Sequence, residues 1–383
     1  MKKFDKERLL LAAAGPVMAL VAAILLTSVV LLVSGRSPIE PYVIMGEQLA
    51  FSDVQVLIVN QASLYYIAAL AVALGFRMNL FNIGVDGQYR LAAMMTAVVG
   101  ANIALPAFLQ IPLLLLVAVL TGAFWAGIAG VLKVTRGVSE VVATIMLNSI
   151  ATALILYLTQ ADTWGVQVGN NRTTGEMHTS GWIPGIDLGP DVGEVYGLVF
   201  LAVVLGVLYW LVLNRTRFGF DLRASGQSPE AAKASGADAK RMTLTAMLIS
   251  GGVAGLSGLP LLLGDAHTYD LSFPATLGFT AIGIALLGRN HPGGIALAAL
   301  LWAFLDKASQ ALDYAQPEPY EKEIAMIMQG VIVFAVVISY EVVRVWGLRR
   351  QQKRVGEELA AAAAAAAGTS DKGDKTEKEV AAR

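Results

Sequence analysis

From Glu140 to Leu158 the sequence reads EVVATIMLNSIATALILYL, and Thr144, Asn148 and Thr152 recur there at every fourth position. In a helix that spacing puts the three side chains on one face, with Glu140 at the head of the stripe. A second polar group lies in NLFNIGVDGQ, where Asn79, Asn82, Asp86 and Gln88 surround Gly84 and Gly87. Asn60 and Gln61 form a third. Amides and hydroxyls can pass a neutral polar solute from one hydrogen bond to the next without trapping it, as full charges would. The same groups can instead bond a neighbouring helix where no water is at hand. Both uses stay open for the Thr144–Asn148–Thr152 stripe. For the second group, one choice is a capped helix start, with Asn82 or Asp86 as the cap. The other is a broken helix whose free amides and carbonyls meet a solute or a gate.

Catalytic chemistry finds little footing. There is no cysteine, which removes disulfides, thiolate nucleophiles and thiol metal sites. His178, His267 and His291 are far apart and form no metal-ligand spacing. The dipeptide Gly-Lys is absent, so the chain has no phosphate-binding G-x-x-x-x-G-K-[ST] loop. Any ATP used must be hydrolysed on another chain. A net charge of −1 leaves no nucleic-acid footprint. No metal and no cofactor are expected, and the chain does not read as an enzyme.

The elements that would position these residues are transmembrane helices. Charged residues make up 15% of the chain and hydrophobic ones 56%, and mean hydropathy is +0.62; a soluble fold with that composition could not cover its surface. With about 20 apolar residues per crossing, spans fall near 9–34, 54–76, 84–104, 111–133, 140–159, 195–213, 243–264, 274–289, 293–312 and 324–346. The expected fold is therefore an all-α polytopic membrane protein with about ten transmembrane helices. The segments 84–104 and 274–289 carry glycine and polar residues and are candidates for broken or re-entrant helices. The N-terminal apolar run is too long for a signal-peptide core and is read as a retained span. Lys and Arg cluster on one side of such a ten-span arrangement, which makes both termini cytoplasmic. Residues 1–346 form the transmembrane domain. Residues 347–383, with the run LAAAAAAAAG, form a cytoplasmic tail that frays into disorder. In the long external loop, Gln160 to Glu194, Trp164 and Trp182 are expected as interfacial anchors. The glycines at 251, 255 and 258 are expected to form a close-packing face for another helix or a second subunit.

The stretch RASGQSPEAAKASGADAKR, Arg223 to Arg241, interrupts two apolar segments. Ser228 suits an N-cap, Pro229 the first helical position, Glu230 the positive end of the dipole and Gly236 the C′ position. A two-turn cytoplasmic helix near 228–236 follows, either a capped connection or a docking element. EAAKASG, Glu230 to Gly236, has the spacing E-A-A-x-x-x-G and resembles the EAA loop of ABC importer permeases. FNIGVDGQYRLAAMMTAVVG resembles a signature of the permeases for branched-chain amino acids, simple sugars and nucleosides, with Asp86 where that signature has Glu. SEVVATIMLNSIA and GFTAIGIALLGRNHPGGIALAALLWAFL are similar to the nucleoside branch.

The resemblance covers roughly residues 76 to 305. It implies that Glu230, Ala231, Ala232 and Gly236, after Ser228 and Pro229 and flanked by Arg223 and Arg241, couple the chain to a cytoplasmic ATP-binding subunit. It also implies a second homologous permease subunit and an extracytoplasmic solute-binding lipoprotein. The site expectation is a solute pathway through Asn148, Thr144, Thr152, Asn82, Asp86, Gln88 and Asn60. The implied function is nucleoside uptake across the cell membrane. The alternatives are a ribose-type simple sugar permease and an ion-coupled secondary transporter. The latter needs a carboxylate within the membrane, for which the sequence offers Asp86, placed near the cytoplasmic face. A membrane enzyme ranks last, for want of an acid–base pair.

Overall fold

The computed structural model describes residues 6–234, 236–315, 320, 323–336, 338, 339, 342, 345 and 352; for 6–14, 229 and 231 it describes the backbone alone. The expected tail, 347–383, and the end of the expected last span lie almost wholly outside the described residues. In chain order the helices are α1 (Lys6–Val33), α2 (Glu40–Glu47), α3 (Ser52–Arg77), α4 (Val85–Asn102), α5 (Ala107–Arg136), α6 (Glu140–Leu158), α7 (Val199–Arg215), α8 (Arg217–Gln227), α9 (Pro229–Ala234), α10 (Ala239–Leu256), α11 (Leu259–Leu261), α12 (Leu277–Leu287), α13 (Pro292–Ala308) and α14 (Glu323–Val336). α10 runs on through α11 to Ala266, and α13 continues to Tyr314.

Each of the ten expected segments contains a helix. Among the described residues, six apolar helices are long enough to cross a membrane alone: Gly15–Val33, α3, α5, α6, Ala239–Ala266 and Pro292–Tyr314. α7 and α8, bent by 73° at Thr216, make a seventh if taken as one broken span. The chain is an all-α polytopic membrane protein. α12 has only 11 residues, about 16 Å of rise, so it reaches through only half of a hydrocarbon core about 30 Å thick. α2, a short helix between the first two spans, has no counterpart in the sequence reading.

α3 and Ala239–Ala266 are the inside of the bundle: 72% and 78% of their most apolar 18-residue stretches are buried, against 22% for the first span and 28% for α6. α5 and α10 meet along small residues. A Cβ on Gly122 would stand 2.2 Å from the Gly251 carbonyl oxygen, and one on Gly255 would stand 2.2 Å from that of Ala118. Only glycine lets the two backbones approach so closely. The small-residue face expected at 251 and 255 is thus used within the chain.

The loop from Gln160 onward folds into two short hairpins, Val166–Val168 with Asn171–Thr173 and Ile186–Asp187 with Glu194–Val195. Trp182 is no simple interfacial anchor: it stacks on His267, with ring centroids 3.9 Å apart, and its Nε1 donates to the Met177 carbonyl. Trp164 is half exposed.

Candidate functional site

The chain leaves α3 through Asn79, whose φ is +56°, and turns back into the bundle. Asn82 Nδ2 donates to Ser250 Oγ at 2.9 Å. Ser250 lies eleven residues, about 16 Å, into α10. The turn has therefore climbed well inside the bundle before α4 begins. Asn82 and Gln88 form a reciprocal amide pair, with Asn82 Nδ2 donating to Gln88 Oε1 at 2.9 Å and Gln88 Nε2 donating to Asn82 Oδ1 at 2.8 Å. Ser250 passes its own proton to the Ala71 carbonyl of α3 at 2.7 Å. Asn82 and Gln88 are 0% and 1% exposed. With every group paired, the cluster ties α3, α4 and α10 into one knot.

α6 joins the same knot. Asn148 Oδ1 accepts from the Gly87 N–H, and Asn148 Nδ2 donates to the Ile83 carbonyl, each at 2.9 Å. Gly87 has to be glycine here, because a Cβ would sit 2.9 Å from Asn148 Oδ1 and 3.0 Å from the Ala151 Cβ. Thr144 is buried and donates to the Glu140 carbonyl at 2.7 Å. Thr152 donates to the Asn148 carbonyl at 3.1 Å and accepts from Arg90 Nη1 at 3.4 Å. Glu140 pairs with Lys133 at 2.5 Å and accepts from the Phe81 N–H at 3.4 Å. The stripe is real, and it faces the α3–α4 turn.

Asp86 does not cap its own helix. Its Oδ1 accepts from the Gly278 N–H, at 3.5 Å, in the first turn of α12. A carboxylate at that end complements the helix dipole. The approach is close: a Cβ on Gly278 would lie 2.7 Å from the Asp86 nitrogen. Asp86 thus lies at the start of α4, inside the bundle. Beside it the Tyr89 hydroxyl is buried without a hydrogen-bond partner among the described residues, while the Arg90 guanidinium meets the Tyr269 hydroxyl.

Asn60 stands apart from this cluster. It is 4% exposed. Its Nδ2 donates to the Glu194 carbonyl and its Oδ1 accepts from the Tyr196 N–H, both at 2.9 Å. It pins the long loop to α3. Burial and the Asp265 carboxylate, which Tyr196 Oη meets at 3.3 Å, push that phenol well above its usual range, so it stays a neutral donor.

A polar cavity near these elements was missed by the sequence reading, apart from Gln61. It holds about 500 Å³ between α3, the segment from Pro274 into α12, the end of α13 and α14. Gln61, Tyr65, Thr276, Thr280, Asp306 and Gln310 supply polar groups to its wall. Asp306 lies within the apolar span Pro292–Tyr314, so Asp86 is not the sole carboxylate inside the bundle. Charges at the end of an apolar run were the available signal. Among the described residues no group of His, Asp and Glu is gathered to hold a metal.

At the end of the bundle where α3 and α5 terminate, α8 and α9 form the polar connection. Thr216 caps α8 by accepting from the Gly219 N–H at 3.1 Å. α9 ends as its sequence suggests: Gly236 has φ +87°, its N–H reaches the Lys233 carbonyl, and the Ala237 N–H reaches that of Ala232. These are the two bonds of a Schellman cap. Glu230 and Arg241 are exposed, Ser228 is half-buried and Ala232 is buried. Arg223 is turned inward, and its Nη1 donates to the Leu213 carbonyl at the end of α7. Gly226 rests on α3, where a Cβ would lie 2.7 Å from the Arg77 carbonyl oxygen. Arg77 Nη2 in turn donates to the Asn290 carbonyl at 2.6 Å, which also accepts from Tyr209 Oη at 3.0 Å. The polar helices, the end of α3 and the α12–α13 turn are thus in direct mechanical contact.

The family model for the branched-chain amino acid transport system / permease component matches residues 55–337, and the chain belongs to that family. It is a membrane permease component, with ATP hydrolysis on a separate subunit. The chain is 31% identical to the guanosine ABC transporter permease protein NupP of Bacillus subtilis, over 87% of this chain and 95% of that protein. It is 31% identical to the glucose ABC transporter permease protein TsgB13 of Haloferax volcanii, over 85% and 87% respectively. It is 27% identical to the nucleoside ABC transporter permease protein NupB of Lactococcus lactis, over 85% and 90%. No solved structure matches the chain.

Proposed function

We propose that this chain forms the membrane pathway of an ATP-driven importer for nucleosides. The observation that carries the reading is end-to-end similarity to permeases named for guanosine and for nucleosides. The 500 Å³ cavity supports it, since its walls offer amides, hydroxyls and an aromatic ring, the groups a neutral, hydrogen-bonding solute requires.

The chain crosses the membrane ten times, with α4 and α12 as helices that begin inside it and both termini in the cytoplasm. The excess of Lys and Arg on one side supports that orientation. Residues 1–346 are the permease domain and 347–383 a cytoplasmic tail. Asn82, Asp86, Gln88, Asn148, Thr144 and Thr152 serve the solute path as its pivot: they hold the inner ends of α4 and α12 against α6 and α10. Asn60 fixes the outer loop over it. Ser228 to Gly236, with Arg241, is the surface that meets the ATP-binding subunit, and Arg223 braces it from behind. A second permease subunit and a solute-binding lipoprotein complete the complex.

Glucose is the competing solute, because a relative named for it is equally similar. Uptake of radiolabelled guanosine and glucose by cells carrying the complete system separates the two. Guanosine import that depends on this chain is expected. Glucose import without nucleoside import assigns the chain to sugars.

A further inference from the structure

The cavity beside α12 carries more information than its size. Tyr65 on α3 is hydrogen-bonded to both Gln61 and Asp306, taking up one of the several acceptor positions of that carboxylate. Asp306 Oδ2 is 4.0 Å from Lys307 Nζ, a loose pair, and the Asp306 side chain keeps 39% of its surface open. The carboxylate therefore has acceptor capacity left for a ligand. Gln310, one turn further along and exposed, adds an amide to the same wall. The first turn of α12 also lines the cavity at Thr276 and Leu277. A helix N-terminus would ordinarily attract an anion, but here Asp86 already occupies that end through Gly278. Among the described residues the wall carries the charged side chains Asp306, Asp313 and Lys307. The Asp306 carboxylate suits a neutral donor of hydroxyl protons.

We propose that this cavity is a recognition subsite in which Asp306, assisted by Gln310 and Gln61, accepts hydrogen bonds from the 2′,3′-diol of a ribonucleoside. The inference rests on the nucleoside reading. Two vicinal hydroxyls match the two oxygens of one carboxylate, and hydrogen bonds to a charged acceptor discriminate more strongly than neutral ones. Tyr65 offers its ring to the solute.

The test compares uptake of radiolabelled guanosine and 2′,3′-dideoxyguanosine by the intact transport system, with this chain wild type or Asp306→Ala, normalised to membrane abundance. Guanosine uptake falls about tenfold or more in the variant, while uptake of the dideoxy compound changes less than about twofold, so the preference for the diol collapses. If the two solutes fall by the same factor, or neither falls, Asp306 does not read the diol and the proposal is overturned while the nucleoside reading stands. If the wild-type system imports neither nucleoside but does import glucose, the nucleoside reading fails and takes this inference with it. Should Asp306→Ala not accumulate, Gln310→Ala at its exposed position undergoes the same comparison. Loss of guanosine preference again supports the subsite, and unchanged preference overturns it.

Discussion

Asn148 holds the α3–α4 turn at both ends, accepting from the Gly87 N–H and donating to the Ile83 carbonyl, each at 2.9 Å. One side chain of α6 thereby fixes where α4 starts. Asn148→Ala leaves two backbone groups without partners inside the bundle. At about 1–3 kcal/mol for each, a markedly lower unfolding temperature in detergent is expected, together with lower membrane abundance. A thermal midpoint equal to that of the wild type would remove Asn148 from the pivot.

The glycine seam makes a sharper contrast. Gly122→Val pushes a side chain into the Gly251 backbone, where even a Cβ would be 2.2 Å from oxygen. The α5–α10 contact cannot open without separating the two helices, so this variant should fail to accumulate. Gly330→Val is the control, because a Cβ there meets nothing within 4 Å. Western blots of membrane fractions decide between equal and unequal accumulation.

Much of this was legible in the sequence because it is local. Apolar runs placed a helix in each expected span, and the Ser-Pro-Glu start with Gly236 delimited α9 to within a residue or two. The Thr144–Asn148–Thr152 spacing correctly put three side chains on one face. What that face meets could not be read, because the partner backbone at Ile83 and Gly87 lies some sixty residues away in sequence. The same holds for Asn60, whose bonds go to Glu194 and Tyr196. Asn82 or Asp86 read as a cap for α4; Asp86 instead meets the first turn of α12, a contact that only the fold reveals. The cavity draws Gln61, Thr276 and Asp306 from three separate segments, and no single-stretch pattern unites them. The seam at Gly251 and Gly255 was recognisable as small residues, but not as an intrachain contact.

Asp86 can be tested by changing its charge and its reach separately. Asp86→Asn keeps an oxygen that can accept from Gly278 and loses the charge that complements the α12 dipole, worth about 0.3–1 kcal/mol. Asp86→Ala loses both. Uptake should fall modestly in the first and severely in the second. Equal and full activity in both would show that the α4–α12 contact does not matter to transport.

At the polar end, Gly236→Val places a branched residue at φ +87°, and Glu230→Lys reverses charge in the first turn of α9. Neither position is buried, so membrane abundance should stay near normal. Solute uptake should drop, and with it the co-purification of the ATP-binding subunit. Normal uptake with both variants would move the docking surface away from residues 228–236.

Reconstitution of the complete system in proteoliposomes is the most direct measurement of what the chain does. With an ATP-binding subunit, a solute-binding protein and the proposed second permease present, radiolabelled guanosine should accumulate inside only when ATP is supplied on the side of the ATP-binding subunit. Omission of this chain should abolish that accumulation. The purified chain alone should hydrolyse no ATP. ATP-dependent accumulation of glucose but not of guanosine, or hydrolysis of ATP by the isolated chain, would contradict a nucleoside permease subunit.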